Sequence, residues 1–377
     1  MKTIHDIEVL EGVKVIVRVD YNVPIQNGVV VDDFRIRSSL ETVNFLLKGG
    51  AKVILIAHLE GTDGSNPTLL PVSESLKKLG VKNTFIANIK NAFPIINNEL
   101  GNGECVLLEN LRFSEGEKKN DAKFAKELAS LADIYVNEAF SVCHREHASI
   151  VGLPAIMPGY AGVQLNKEVA NLSRAFSPLH PFAFIIGGAK FETKMPLIQR
   201  FSKIADSMFV GGALANDILQ ARNFPVGMSR VSGDVPDIEE MAMNKKIIAP
   251  IDVVVQDHVE KKAYDVLPKD VILDAGKETI GALTEVLEKS KFVLWNGPLG
   301  QYENGYQGAT LDLAKVIAGC KETNGSDFVS IVGGGDTVAA IASLGLQDKF
   351  TFISTGGGAM LDFLAKGTLP GIEALKG

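Results

Sequence analysis

IVGGGDTVAAIASLGLQDKFTFISTGGGAMLDFL, residues Ile331–Leu364, is the stretch that decides the fold. It contains two glycine triplets, Gly333–Gly335 and Gly356–Gly358, and each follows a β-branched or aromatic run and precedes a helix-like run. A strand, a glycine turn and a helix start leave free backbone N–H groups that can bind phosphate oxygens. One such turn is equally consistent with a purely structural strand end. Two in tandem, the first followed by Asp336 and Thr337, predict a polyphosphate site with a carboxylate for a metal ion.

Length and composition limit the classes of protein. The chain has 377 residues, which favours two domains, and its net charge of −7 argues against general nucleic-acid binding. No apolar run approaches the roughly 20 residues that span a bilayer, and we expect no export signal at the N-terminus. The 3 scattered cysteines suit a reducing compartment. The sequence therefore predicts a cytoplasmic protein with small-molecule ligands and no nucleic-acid or membrane partner.

The first half alternates strand-like and helix-like runs, which indicates a parallel, doubly wound sheet. The predicted strands are Val13–Asp20, Lys52–Ala57, Glu104–Glu109 and Asp133–Asn137, and a predicted helix over Asn120–Leu131 has Asn120 or Asp121 at its cap. Ligands bind beyond the carboxyl ends of such strands. The polar residues at those ends are Asp20, Asn22, His58, Arg112, His144, Arg145 and His147.

These side chains, with Arg35 nearby in sequence, suit a small, multiply charged anion, because arginine binds phosphate or carboxylate with two parallel hydrogen bonds. Any one arginine alone is more often a surface or ion-paired residue. The prediction of an anion site therefore depends on the cluster.

The second half is a further α/β series with different residues at its strand ends. Gly159–Ala175 is predicted as a helix between the two halves, and the strands that follow are Phe182–Ile186, Ser207–Val210, Ile248–Val255, Lys291–Trp295, Phe328–Val332 and Phe350–Ser354. Glycines, lysines and carboxylates follow these strands, among them Lys190, Lys194, Gly211, Gly212, Asn296, Pro298 and Glu303. Lys190 and Lys194 would share one face of a helix that begins early.

This second set suits a nucleotide. Backbone amides and lysine would bind phosphates, Asp336 would bind Mg²⁺, and Glu303 would bind ribose hydroxyls. Neither the P-loop signature nor the dinucleotide fingerprint is present. An anion site and a metal–nucleotide site in two sheets predict phosphoryl transfer between two ligands, with hinge closure that excludes water.

Many ordered motifs also carry a resemblance to one family. They are RVDYNVP (Arg18–Pro24), DDFRI (Asp32–Ile36), LLENLRF (Leu107–Phe113), ADIYVNEAF (Ala132–Phe140), HREHAS (His144–Ser149), GGAK (Gly187–Lys190), WNGPLG (Trp295–Gly300), GGGDT (Gly333–Thr337), STGGGA (Ser354–Ala359) and LPGIEAL (Leu369–Leu375). Over nearly its whole length the chain resembles phosphoglycerate kinases. The resemblance implies reversible transfer of the acyl phosphate of 1,3-bisphosphoglycerate to Mg-ADP, which gives 3-phosphoglycerate and ATP.

The resemblance also implies roles for particular residues. Asp20, Tyr21, Asn22, Arg35, His58, Arg112 and Arg145 would bind the phosphoglycerate, and Arg35 and Lys190 would neutralise the moving phosphoryl group. Nucleotide and phosphate contacts would come from Lys194, Gly211, Gly212, Asn296, Pro298, Glu303, Gly333, Gly334, Gly335, Asp336, Thr337, Gly356 and Gly357, with Asp336 toward Mg²⁺.

The implied architecture is two Rossmann-like domains that face each other across a hinged cleft, in a monomer. We expect a phosphoglycerate-binding domain over residues 1–158, an interdomain helix over 159–176 and a nucleotide-binding domain over 177–360. The segment from about 361 to 377 would pack back on the first domain.

The sequence departs from the family pattern at several points. The family's His-Leu-Gly-Arg-Pro reads His58-Leu59-Glu60-Gly61-Thr62, so an arginine is missing and an acid is added. We expect weaker phosphoglycerate binding unless Arg37 or Lys90 substitutes. The usual third glycine after Gly212 is Ala213, near the expected adenine position.

Two alternatives stay open at this stage. One is a nucleotide- or phosphate-binding paralogue with weak catalysis that serves as a sensor or scaffold. The other is a different small-molecule kinase, which the altered loop at residues 58–62 allows. Retention of Arg35, Lys190 and Asp336 together favours the transferase.

Overall fold

The computed structural model describes residues 1–61, 63–233 and 235–376, and these form two compact units. Unit 1 comprises Met1–Ala170 and Lys366–Gly377, and unit 2 comprises Asn171–Ala365. The division falls inside a helix, whereas the sequence places the end of the first domain at residue 158. Across the described portion of the chain, no helix is both long and apolar enough to cross a membrane.

Unit 1 is built on a six-stranded parallel sheet. Its strands are β1 (Lys14–Arg18), β4 (Lys52–Ile56), β5 (Thr84–Ile86), β6 (Cys105–Leu108), β7 (Ile134–Asn137) and β8 (Gly159–Ala161), and a hairpin is formed by β2 (Ile25–Gln26) and β3 (Val29–Val30). The order across the sheet is β5-β6-β4-β1-β7-β8, so β1 lies between β4 and β7. The ends of the predicted strands therefore meet at one edge of the sheet.

Helices connect these strands as the alternating pattern predicts. They are α1 (Phe34–Lys48), α2 (Leu70–Lys78), α3 (Ala92–Asn98), α4 (Glu115–Lys118), α5 (Ala122–Ala129) and α6 (Val163–Ser173), and α6 continues into unit 2. Asp121 caps α5, since its Oδ1 accepts a hydrogen bond from Phe124 N at 2.8 Å. The predicted helix over Gly159–Ala175 is wrong at its start, because its first residues form the edge strand β8 beside β7.

Unit 2 contains a second six-stranded parallel sheet and a small antiparallel one. Its strands are β9 (Phe182–Ile186), β10 (Ser207–Val210), β11 (Ile247–Ile248), β12 (Asp252–Val254), β13 (Glu260–Lys262), β14 (Asp274–Ala275), β15 (Phe292–Asn296), β16 (Val329–Gly333) and β17 (Phe352–Ile353). The parallel order is β11-β10-β9-β15-β16-β17, and the antiparallel order is β13-β12-β14. The single predicted strand over Ile248–Val255 is thus two strands in two different sheets.

Most helices of unit 2 begin shortly after a strand ends. They are α7 (Phe191–Phe201), α8 (Ala213–Ala221), α9 (Ile238–Met243), α10 (Lys277–Leu287), α11 (Gly308–Thr323), α12 (Gly335–Ser343) and α13 (Gly358–Lys366). Both glycine triplets stand at such a junction, because α12 begins at the last glycine of the first triplet and α13 at the last glycine of the second. The predicted strand, glycine turn and helix start are confirmed at both places.

A short C-terminal helix, Pro370–Glu373, packs within unit 1. Gly371 N donates a hydrogen bond to Cys143 O at 2.9 Å. A Cβ atom at Gly371 would lie 2.8 Å from Ile150 Cγ2 and 3.1 Å from Cys143 Cα. Glycine at this position therefore allows the backbones to approach closely.

We predict that Gly371→Ala destabilises unit 1 by about 1–3 kcal/mol, because an added methyl group in a packed contact forces its neighbours apart. Urea unfolding followed by circular dichroism measures the change. Gly281→Ala in α10 is the matched control, since nothing lies within 4 Å of its Cβ position. Equal stability of the two variants would contradict the close packing at Gly371.

Candidate active site

The end of β1 separates an apolar face from a polar face. Val19 lies in the core of unit 1, whereas the alternate positions carry Arg18, Asp20 and Asn22. Side chains alternate along extended chain. The three polar side chains therefore emerge together at the carboxyl end of the sheet.

Tyr21 was expected to bind substrate, and this prediction is wrong for its side chain. Tyr21 is fully buried with Val15, Val17 and Val19 in one apolar cluster. Its hydroxyl pairs with Ser39 Oγ at 3.1 Å. The alternation that directs Asp20 and Asn22 toward the site directs Tyr21 into the core.

Asp20 orients Arg35. The Nη1 atom of Arg35 lies 3.1 Å from Asp20 Oδ2 and donates to Asn22 O at 3.3 Å. Asp20 Oδ2 also accepts a hydrogen bond from Ser141 Oγ at 2.6 Å. With its side chain 35% exposed, Arg35 is positioned by the protein and still reaches solvent.

A fully buried arginine, Arg18, lies beneath the predicted anion site. Arg18 Nε donates to Ser149 Oγ at 2.9 Å, its Nη1 donates to Val19 O, and its Nη2 lies 3.0 Å from His58 Nδ1. A guanidinium group only donates, so His58 Nδ1 must accept and the ring proton stands on Nε2. Arg18 therefore fixes both the tautomer and the orientation of His58.

The surroundings of His58 are strongly positive. Burial, followed by the charges of Arg18, Arg112 and Arg145, lowers the pKa of His58 well below 6.5. Burial and the same arginines, Arg145 first, lower the pKa of His147 to about 4. Burial and the charge of Arg112 also lower the pKa of Arg145. An anion placed here would relieve this repulsion.

Arg112 is paired with Glu60, the acid that stands where the family pattern has glycine. Its side chain is 2% exposed, and Nη1 contacts the carboxylate of Glu60 as an ion pair. Glu60 N donates to Asn22 Oδ1 at 2.9 Å, which holds this loop against the end of β1. Within the described residues, no acceptor forms a hydrogen bond with Arg112 Nε.

The proposed substitutes for the missing arginine are engaged elsewhere or exposed. Arg37 Nε lies 2.8 Å from Asp33 Oδ1 on the surface of α1, and Lys90 is exposed in a turn after Asn88. Thr62, the last residue of the altered motif, lies outside the described residues. Arg37 is thus held away from a substituting role by its own ion pair.

The sequence argument did not single out several residues that shape this region. Ser141 binds Asp20, and Glu117 accepts hydrogen bonds from Ser149 N at 3.0 Å and Ser149 Oγ at 2.6 Å. Arg18 could have been found from the alternation, because it stands two residues before Asp20 on the same face. The others come from distant loops. His144, which was predicted at this edge, accepts from Arg145 Nε at 3.3 Å.

In unit 2 the glycine turns pack against one another. A Cβ atom at Gly187 would lie 2.1 Å from Pro298 O, and one at Gly212 would lie 2.7 Å from both N and O of Gly188. Gly212 also has a φ of +63°, which other residues rarely adopt. These glycines bring the ends of three neighbouring strands together, and any side chain there would separate them.

Some glycines of the two triplets are packed against neighbouring atoms, whereas others have open space at the Cβ position. A Cβ atom at Gly333 would lie 2.1 Å from Met360 Sδ, whereas nothing lies within 4 Å of the same atom at Gly335, Gly357 or Gly358. The open glycines stand at the first turns of α12 and α13, where amides have no partner within the helix. They leave room for an anion at the backbone.

A cavity of about 430 Å³ lies beside these turns, within unit 2. Among the predicted nucleotide residues, Gly212, Pro298, Glu303 and Asp336 line it. The others, which do not line it, are Gly211, Lys194, Asn296, Gly333, Gly334, Gly335, Thr337, Gly356 and Gly357. Asn216, Arg230, Asp274 and Tyr302 also line the cavity and are not among the residues that the sequence patterns predict.

The two predicted lysines differ in environment. Lys194 Nζ donates to Asn296 Oδ1 at 2.6 Å, and burial lowers the pKa of Lys194 to about 8. Lys190 precedes α7 by one residue and is exposed. Lys194 is therefore a partly buried charge for which the described residues include no carboxylate partner, a state that a phosphate would stabilise.

Asp336 lies in the first turn of α12 and faces another acid. Burial, followed by the charge of Glu303, raises the pKa of Asp336. A cation would relieve both effects. The described residues contain no group of three or more metal-binding side chains. One or two carboxylates fit Mg²⁺, which usually keeps waters and substrate phosphates as its remaining ligands.

Comparison with known proteins gives one consistent result. The family model described as phosphoglycerate kinase matches residues 4–367. Phosphoglycerate kinase of Dictyoglomus turgidum is 40% identical over 398 aligned residues, covering 100% of this chain and 99% of that protein. The Clostridioides difficile enzyme of the same name is 39% identical, covering 99% and 98%.

Solved structures agree with the sequence relatives. Phosphoglycerate kinase from Coxiella burnetii superposes with a TM-score of 0.84 at 31% identity and covers 99% of this chain and 98% of that one. The Pyrococcus horikoshii structure gives a TM-score of 0.87 at 30% identity, with coverage of 100% and 98%. The similarity thus extends over both units.

We predict that an anion raises the pKa of His147 from about 4 toward 6.5, because it offsets the positive charge of Arg145, Arg18 and Arg112. Nuclear magnetic resonance titration of the imidazole in phosphate, against chloride at equal ionic strength, measures this. The same titration curve in both salts would argue against an anion site in unit 1.

Proposed function

Since the chain belongs to the phosphoglycerate kinase family, we propose that its two units divide the family's reaction, unit 1 binding the phosphoglycerate and unit 2 the nucleotide. The enzyme is a phosphotransferase that moves the acyl phosphate of 1,3-bisphosphoglycerate to ADP and forms 3-phosphoglycerate and ATP, reversibly. Full-length similarity to named phosphoglycerate kinases supports this activity, and no observation favours the sensor or scaffold.

The assignment of unit 1 is supported above all by the cluster of Arg18, Arg112 and Arg145 around His58. In the proposal, Arg112 and Arg145 bind the anionic groups of phosphoglycerate, and neutral His58 supplies the Nε2–H donor that Arg18 fixes. Asp20 and Asn22 would accept a hydrogen bond from a hydroxyl group of the substrate, or would orient the arginines. Arginine forks match carboxylate and phosphate geometry, which suits a three-carbon acid with both groups.

The assignment of unit 2 is supported by its cavity and helix starts. We assign Lys194, Asn296 and the amides around Gly335 and Gly357 to the nucleotide phosphates. Glu303, which lines the cavity, would bind ribose hydroxyls. Gly211, Gly212, Pro298, Gly333, Gly334, Thr337 and Gly356 complete the proposed set, several of them by shaping the backbone.

The base would lie deeper in the same cavity. Asn216 lines it, and within the described chain no donor reaches Asn216 Oδ1, which is buried. Asn216 Nδ2 is held by Arg230 O at 2.8 Å. The free amide oxygen is therefore presented as an acceptor for an exocyclic amino group of the base.

Little covalent chemistry is needed from the protein. Arg35 and Lys190 would neutralise charge on the transferring oxygens, and the amides of the second glycine triplet would donate hydrogen bonds to them. Mg²⁺, when bound with the nucleotide near Asp336, would supply further neutralisation of the phosphate oxygens. Transfer also requires the two ligands to meet, so the proposal includes hinge closure that excludes water.

The finer parts of the proposal concern metal, assembly and location. We assign Mg²⁺ as the metal, a monomeric state and a cytoplasmic location in glycolysis or gluconeogenesis. Cys105, Cys143 and Cys320 are buried and free, which suits a reducing compartment.

A coupled assay tests the proposed function. We expect ATP consumption that depends on both 3-phosphoglycerate and Mg²⁺. Other carboxylates and sugar acids serve as acceptor controls. Nucleotide binding without turnover in the presence of 3-phosphoglycerate would refute the activity, and faster turnover with another acid would refute the substrate.

We predict that Arg35→Ala lowers kcat by about 10³-fold, the usual scale for an arginine that meets transition-state charge. Nucleotide affinity should change by less than about twofold, because Arg35 belongs to unit 1. Steady-state kinetics and calorimetry measure the two quantities. Arg37→Ala is the matched control, since Arg37 is on the same helix and pairs with Asp33. Unchanged turnover in Arg35→Ala would remove this residue from the mechanism.

We predict proton uptake when ADP binds at pH 8.5. With a pKa of about 8, Lys194 is mostly neutral there, and a nearby phosphate favours its charged form. Calorimetry in buffers of different ionisation enthalpy should give uptake of roughly half a proton or more. At pH 6.5 Lys194 is already charged, so little uptake is expected. Equal uptake in Lys194→Met would contradict the assignment.

A further inference from the structure

The ion pair between Glu60 and Arg112 joins a half-exposed acid to a buried base. The Arg112 side chain is 2% exposed, whereas that of Glu60 is 40% exposed. The carboxylate thus reaches inward from the surface loop to a guanidinium that the fold has already buried. Removing the anion from a buried ion pair is strongly unfavourable.

The other acids near Arg18, Arg112 and Arg145 already have partners. Asp20 binds Arg35 and Ser141, and Glu117 accepts two hydrogen bonds from Ser149. Glu60 makes its one described side-chain contact with Arg112. Among the carboxylates described here, Glu60 is therefore the one that can leave the cluster at the loss of a single contact.

The hydrogen bonds that hold the loop do not involve the carboxylate of Glu60. Glu60 N donates to Asn22 Oδ1 at 2.9 Å, and Asn66 Nδ2 donates to Arg112 O at 3.3 Å. Both bonds use backbone atoms of the ion-paired residues. The side chain of Glu60 can thus rotate toward solvent without loss of these loop contacts.

Arg112 has unused capacity for an anion. Its Nε and Nη1 atoms are buried, and no described residue accepts a hydrogen bond of good geometry from either, although Nη1 is in ion-pair contact with Glu60. A phosphate or carboxylate that took the place of Glu60 could use Nε together with Nη1, as bidentate arginine pairs do. An external anion can therefore form a more complete contact than the internal one.

We propose that Glu60 is an internal anion that occupies Arg112 in the free enzyme, so that phosphoglycerate must displace its carboxylate to bind. This inference rests on the proposed function for its substrate, although its contact is independent of catalysis. The binding affinity of every anion that contacts Arg112 is lowered by the same factor. A ligand with further contacts to Arg145 and Arg35 still binds, whereas a single small anion is excluded at moderate concentration.

Two substitutions test the role of Glu60. In Glu60→Gln and Glu60→Ala we expect inorganic phosphate and 3-phosphoglycerate to bind about tenfold more tightly, the scale of one charged hydrogen bond. Calorimetry measures both affinities. The KM for 3-phosphoglycerate should fall by a similar factor while kcat changes little. A merely structural role would not tighten binding.

Thermal unfolding gives a second readout. Without anion, both variants should unfold at a lower temperature than the wild type, because Arg112 loses its partner. Phosphate should raise their Tm more than it raises that of the wild type. Glu74→Gln is the matched control, since Glu74 pairs with Lys77 on the surface of unit 1. It should match the wild type in every measurement.

The outcomes separate the two proposals. If the wild type and both variants turn over 3-phosphoglycerate and bind anions with equal affinity, the role of Glu60 is overturned and the proposed function stays intact. Weaker binding in the variants would also overturn it. Tighter phosphate binding in the variants, with no 3-phosphoglycerate turnover in any protein, would support the internal anion and refute the proposed function.

Discussion

The guanidinium of Arg18 is the constraint on which unit 1 depends. It is fully buried, and its bonds go to Ser149, Val19 O and His58 rather than to a carboxylate. A buried charge of this kind costs free energy unless its hydrogen bonds are complete. The surrounding loops must therefore meet at Arg18, and in doing so they bring His58 and the other arginines to the end of β1.

The buried arginines also determine the charges of the side chains around them. With three arginines close together, the pKa values of His58 and His147 are lowered, so both rings stay neutral near neutral pH. Asp20 is used to hold Arg35, Glu117 to hold the Ser149 loop, and Glu60 to neutralise Arg112. The three arginines thus require internal anions, because like charges in a poorly solvated place repel.

The strand ends of unit 2 are built differently from those of unit 1. Its strand ends approach so closely that Gly187 and Gly212 have no room for a side chain, and the helices that follow present backbone amides. Lys194 is a partly buried cation at this end, and burial lowers its pKa to about 8. Dipoles and amides bind phosphate without the repulsion that accumulates in unit 1, which suits a ligand that brings its own metal ion.

The sequence by itself determined the two parallel α/β units, most strand ends and the glycine turns, because these follow from local periodicity and from the conformations that only glycine adopts. It also indicated the arginines of unit 1 and Asp336, since polar residues after buried strands collect at one sheet edge. The tertiary structure alone decided the placement of β12 in a second sheet, the cavity residue Asn216 and the pairing of Glu60 with Arg112. These depend on contacts between residues far apart in the chain, and local sequence patterns carry no information about which distant groups meet.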